Sequence, residues 1–147
     1  MPPDSVIPDD FIPANYRILV VDDESGWLNL MKLILGKKGY QVETALNPPP
    51  ALELLEKQEF DLLILDDMME GMDGLEVLKR LRADSRWDIM PILMCGGLAE
   101  KEFFAVTAAA GVDAHLAKPP LTGQLFETVH DLLIHSRKPR AQSLKRI

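Results

Sequence analysis

Cysteine is almost missing from this chain. Cys95 is the only one in 147 residues, so no disulfide can form within it. It follows Ile92-Leu93-Met94 and reads as a small buried hydrophobe. No apolar run approaches the length of a membrane span, so an integral membrane protein is not expected. The N-terminus, Met1-Pro2-Pro3-Asp4, lacks a basic region and an apolar core, so it does not read as a secretory signal. A cytoplasmic location is the expectation. Basic residues are outnumbered: 16 Lys and Arg face 23 Asp and Glu, a net charge of −7. That balance argues against general nucleic-acid binding. There are no internal repeats beyond the alternation described next.

What is present suits one soluble domain: 47% of residues are apolar and 27% charged. Residues 1–15 hold Pro2, Pro3, Pro8 and Pro13 and read as a flexible Pro/Asp-rich arm, with folding starting near Tyr16. Arg17 to Val21 is a short apolar run of the kind that forms a central parallel strand. Ser25 is placed to cap the next helix, which carries Leu28, Leu30, Met31, Ile34 and Leu35 and stops at Gly39. Val42 to Ala45 reads as a shorter, edge strand. Asn47 and Pro48 then open a helix running to about Gln58.

Leu62 to Leu65 is the third strand. A glycine-bearing loop leads from it to a helix with Leu75, Val77, Leu78 and Leu81 inward. Pro91 to Cys95 is the fourth strand, followed by Gly96-Gly97 and a helix from about Glu100 to Ala110. Ala114 to Ala117 is the fifth, and a last helix runs from about Thr122 to His135. Strand and helix alternate five times, which predicts a parallel sheet with helices on both faces. In such folds the site lies outside the carboxyl ends of the strands. Asp22-Asp23, Asp66, Gly96-Gly97 and Lys118-Pro119 all fall there. Three carboxylates and a lysine suit a hard divalent cation and a phosphoryl group. The methionines Met68, Met69, Met72, Met90 and Met94 read as gap fillers rather than ligands.

Three stretches carry a family resemblance: residues 18–24 (ILVVDDE), 61–74 (DLLILDDMMEGMDG) and 111–119 (GVDAHLAKP). In that order they resemble the receiver domain of two-component response regulators, over about Tyr16 to Ser136. The resemblance implies a doubly wound, flavodoxin-like (βα)5 sandwich with strand order 2-1-3-4-5. It implies Asp66 as phosphoacceptor, and Mg²⁺ held by Asp22, Asp23, Asp66 and the backbone carbonyl of Met68. It implies Lys118 on the phosphoryl oxygens and a cis bond to Pro119. The chemistry is coherent: a carboxylate nucleophile, a cation between anions, and an ammonium on the product.

This chain departs from the family at three places. The family carries Thr or Ser where Gly96 stands. Either Gly96 and Gly97 present backbone N–H groups to the phosphoryl group, or the domain works through protein contacts alone. Losing one hydrogen bond to a charged group costs about 1.5–3 kcal/mol, which slows transfer without abolishing it. Glu70 replaces a usual proline. His115 stands where the family often has a switching Tyr or Phe; it is either a switch, together with Gly96, or a polar tip on a half-exposed strand.

The sequence therefore reads as a stand-alone receiver and not an enzyme. A sensor histidine kinase or histidine phosphotransfer protein would phosphorylate it. Output would pass to another protein or a homodimer through the face of the fourth helix, fifth strand and fifth helix, with no nucleic acid or membrane involved. The alternative is a phosphorylation-independent interaction module. A metal-dependent phosphohydrolase ranks last, because it wants a carboxylate two residues past the nucleophile, where Met68 stands. Residues 137–147 hold Arg137, Lys138, Arg140, Lys145 and Arg146 and read as a solvated basic tail.

Overall fold

The computed structural model describes residues 11–69, 73–97 and 101–135. Residues 1–10, Glu70 and the basic tail lie outside the described residues. The five expected strands form β1 Arg17–Val21, β2 Gln41–Ala45, β3 Leu62–Leu65, β4 Ile92–Gly96 and β5 Ala114–Ala117. They alternate with α1 Ser25–Lys37, α2 Pro48–Lys57, α3 Gly74–Arg82, α4 Lys101–Ala109 and α5 Thr122–Ile134. Every pairing is parallel and the strand order is β2-β1-β3-β4-β5, the expected doubly wound arrangement.

Alternate residues of each central strand point to opposite faces, and each face has its own core layer. Leu19, Val21, Leu63, Leu65, Ile92 and Met94 pack with Ala51 and Leu55 of α2 and Val77, Leu78 and Leu81 of α3. Ile18, Val20, Leu62, Ile64, Leu93 and Cys95 pack with Leu28, Met31 and Leu35 of α1 and Leu125, Val129 and Leu133 of α5. Burial on both sides explains why β3, β4 and β1 after Arg17 are apolar rather than alternating. Edge strand β2 has an exposed Glu43 and one fully buried residue, Ala45.

Three local readings change. Ser25 is the first residue of α1 rather than its cap; Glu24 holds the cap position, and its N–H donates to Asp22 Oδ1 at 3.0 Å. Leu30 of α1 is exposed, because the inward stripe is completed by Leu28, Met31 and Leu35. The N-terminal segment packs earlier than Tyr16. Phe11 stacks on Tyr16 with ring centroids 4.9 Å apart and meets His130 of α5 edge-on at 4.8 Å. Phe11 and Tyr16 pack, partly buried, on the core layer of α1 and α5, and Gln41 Nε2 donates to Ala14 O at 2.6 Å, which ties the Pro13–Asn15 3-10 turn to β2.

Helices α1 and α4 are followed by Gly39 and Gly111, at φ 102° and 103°, where a side chain would be strained. Arg82 at the end of α3 ties two connections together, the one from α3 to β4 and the one from α4 to β5. It donates to Gly111 O at 2.9 Å and Trp87 O at 2.6 Å, and pairs with Asp113 Oδ2 at 2.8 Å. Asp113 Oδ2 in turn accepts from the N–H of Ile92. Arg82→Ala is expected to cost about 2–4 kcal/mol, since it strands partly buried acceptors. Urea unfolding checks this; a loss under ~0.5 kcal/mol would show that the network is only decorative.

Candidate functional site

The sheet carries its hydrogen bonding one residue beyond the strands, and this positions the site. Asp22 N–H donates to Ala45 O at 3.2 Å, Asp66 N–H to Val21 O at 3.0 Å, and Lys118 N–H to Gly96 O at 3.0 Å. Backbone at these positions is therefore set by neighbouring strands before any side chain contributes. Gly74 N–H, at the start of α3, donates to Asp67 O at 2.8 Å and closes the loop after β3. Asp73 and Glu76 form a capping box that holds that helix start.

The carboxylates of Asp22, Asp23 and Asp66 offer ligand atoms all within 4.8 Å of one another. Asp22 and Asp66 are buried and Asp23 is exposed. Such crowding is unfavourable without a counter-charge. Burial first, then the charges of Asp22 and Asp23, push the Asp66 carboxyl up from 3.8 to about 7, against the lowering pull of Lys118 and of the Asp67 backbone N–H. The donor set is all oxygen and half enclosed, which fits a hard dication.

Lys118 Nζ donates to Asp22 Oδ2 at 2.8 Å and Glu24 Oε1 at 2.6 Å, and lies 5.1 Å from the Trp27 ring centroid. Burial works against its charge. The hydrogen bonds to Asp22 and Glu24 and the charge of Asp66 outweigh that, and its pKa lies above the usual lysine range. The Lys118–Pro119 bond is cis. The side chain of Met68 points to solvent while Met69 enters the core. Gly97 is exposed, with open space around it. The Cys95 thiol is buried and pushed up to about 12, which fits an inert core residue.

The surroundings of Gly96 and His115 add a contact the sequence did not show, and they rule out the polar-tip reading of His115. The room beside Gly96 is filled by the Asp67 side chain: a Cβ there would lie 2.5 Å from Asp67 Oδ2 and 2.8 Å from Asp67 Cβ. His115 is no half-exposed tip. Its side chain is 8% exposed, its Nε2 donates to Asp67 Oδ1 at 3.0 Å, and its ring lies 4.5 Å from that of Phe104 on α4. The sequence reading assigned no role to Asp67, to Glu24 as a partner of Lys118, or to Trp27. One signal for Asp67 was available: a second carboxylate beside Asp66, in a chain with a glycine in place of a hydroxyl and an imidazole in place of a phenol.

A family model described as the response regulator receiver domain matches residues 18–130. The chain is 36% identical over 114 residues to the chemotaxis protein CheY-3 of Vibrio cholerae serotype O1, covering 77% of this chain and 88% of that one. The solved structure of the Vibrio cholerae chemotaxis protein CheY4 matches with a TM-score of 0.77 at 32% identity, over 80% of this chain and 98% of that one. A CheY-like receiver domain protein from Methanospirillum hungatei JF-1 matches at 0.76 and 32%, over 82% of this chain and 94% of that one.

Proposed function

This chain belongs to the response regulator receiver family, and on that premise we propose that Asp66 is its phosphoacceptor, in a phosphorelay whose donor is a histidine kinase or a histidine phosphotransfer protein. The observation that carries this reading is the convergence of Asp22, Asp23, Asp66 and Lys118 at the carboxyl end of the sheet. A carboxylate oxygen of Asp66 attacks the donor phosphorus. The P–N bond to the imidazole breaks, its electron pair stays on nitrogen, and an acyl phosphate forms. Asp22, Asp23, Asp66 and the Met68 carbonyl would hold Mg²⁺, which supplies charge neutralisation between nucleophile and phosphoryl group. Lys118 exchanges the exposed Glu24 for a phosphoryl oxygen, and the backbone N–H of Gly97 is a further anion donor.

The protein acts as a signalling module rather than as an enzyme, and as a cytoplasmic one. Among the described residues no helix is long and apolar enough to cross a membrane. Its output surface is the α4-β5-α5 face, where Phe104 and Val106 are exposed apolar side chains. Another protein or a second copy of the chain would dock there.

The deciding experiment is intact mass after incubation with acetyl phosphate or phosphoramidate and Mg²⁺, beside Asp66→Asn. One phosphoryl group on the parent and none on the variant is expected. A second reading, an interaction module that needs no phosphoryl group, is favoured by one observation: a carboxylate, Asp67, lies where the family has a hydroxyl. No mass gain by the folded parent would select that reading.

A further inference from the structure

Asp67 just past β3, Gly96 at the end of β4 and His115 within β5 make one unit. Register puts them side by side. Leu65 pairs with Met94 and Met94 with His115, so Asp67 and Gly96, each two residues further on, continue the same face. The Asp67 carboxylate crosses the gap above Gly96 and ends at His115 Nε2. Any Cβ at position 96 would occupy the carboxylate's path. The glycine is therefore the condition for the pair rather than an isolated loss of a hydroxyl.

The pair also has two ends that matter. On one side the Asp67 backbone N–H donates to the Asp66 carboxylate. On the other, His115 lies under Phe104, which is 37% exposed on α4. A continuous line of contacts thus runs from the reacting carboxylate to the outer surface of α4, and both polar members are almost fully buried. Buried hydrogen-bonded pairs of this kind have few alternative arrangements, which makes them suited to a two-state element.

We propose that Asp67, lodged over Gly96 and hydrogen-bonded to His115, is the positioning residue that couples the Asp66 site to the α4 surface, in place of a hydroxyl at position 96. The coupling rests on the phosphoacceptor reading of Asp66. A dianionic phosphoryl group on Asp66 stands beside the Asp67 carboxylate and repels it. That weakens its hold on His115, and the imidazole and Phe104 shift together. Restoring the family hydroxyl alone, by Gly96→Thr, would not repair the site, because Asp67 already fills the space.

Two measurements test this. The first is a thermal double-mutant cycle on Gly96→Thr and Asp67→Ala. Gly96→Thr alone is expected to lower the melting midpoint by about 5–10 °C, and part of that loss disappears in the Asp67→Ala background, which removes the carboxylate but keeps the Asp67 Cβ. Additive effects would overturn the shared-space argument. The second follows the backbone amide resonances of Phe104 to Ala109 by NMR, with intact mass as a parallel readout. In the parent they move on phosphorylation. In Asp67→Ala and in the near-isosteric Asp67→Asn the mass gain persists and the movement shrinks. Full movement in a phosphorylated Asp67→Ala protein would overturn the coupling. If the parent takes no phosphoryl group, it is the Asp66 reading that fails. The link is then read without a donor, where unchanged His115 and α4 resonances in folded Asp67→Ala would overturn it.

Discussion

Asp66→Asn is expected to stabilise the folded domain, and to do so more at pH 8 than at pH 5. In the folded state burial, reinforced by Asp22 and Asp23, holds the Asp66 carboxyl near 7, against 3.8 for an unperturbed group. Because the folded pKa is raised, the folded domain keeps a proton that the unfolded chain releases as pH rises from about 4 to about 7. Stability therefore falls across that window, and the penalty is complete above it. Asparagine carries no such penalty. Half of a shift of about three units is worth about 2 kcal/mol, or roughly 5–10 °C in melting midpoint. Calorimetry at the two pH values checks this, and an equal gain at both would refute the charge argument. Magnesium at pH 8 should raise the parent's midpoint by mass action and leave the Asn variant nearly unmoved.

Gly74→Ala should be among the most damaging single-methyl additions in the domain. The new Cβ would run into the carbonyl oxygen of Asp66, and would lie 2.7 Å from Met94 Cε and 3.1 Å from Asp67 O. Two of those three contacts are backbone, so relief requires moving the loop that presents Asp66 and Asp67. A loss of about 3 kcal/mol is expected from overpacking against backbone. Phosphoryl acceptance should fall with it even where the protein remains folded. Gly36→Ala in α1 is the matched control. Nothing lies within 4 Å of its Cβ position, and alanine there should stabilise by about 0.5–1 kcal/mol. Urea unfolding of both variants gives the comparison; a Gly74→Ala protein as stable as the parent would mean that α3 shifts freely at its start.

Much of this molecule was legible in its sequence because the signals are local. Leu62-Leu63-Ile64-Leu65 is buried on both faces, so an unbroken apolar run marks β3 to the residue. Gly39 and Gly111 mark helix ends because those positions need positive φ. The βα alternation then forces Asp22, Asp23, Asp66 and Lys118 to one end of the sheet, whatever their side chains do. Cap chemistry was less legible. Glu24 rather than Ser25 holds the cap position, with extended backbone, and its N–H donates to the Asp22 carboxylate.

What the sequence could not decide was the meaning of its departures. Taken one at a time, Gly96 reads as a missing hydroxyl and His115 as a polar tip. Only the packed sheet shows that Asp67 reaches across the glycine to the imidazole, a contact between residues 48 positions apart. Phe11 on Tyr16 and His130 is the same kind of case at the opposite chain end. Strand and helix periods follow from neighbours along the chain. Which buried polar group fills which gap follows from register and rotamers across strands, and those exist only once the sheet has formed.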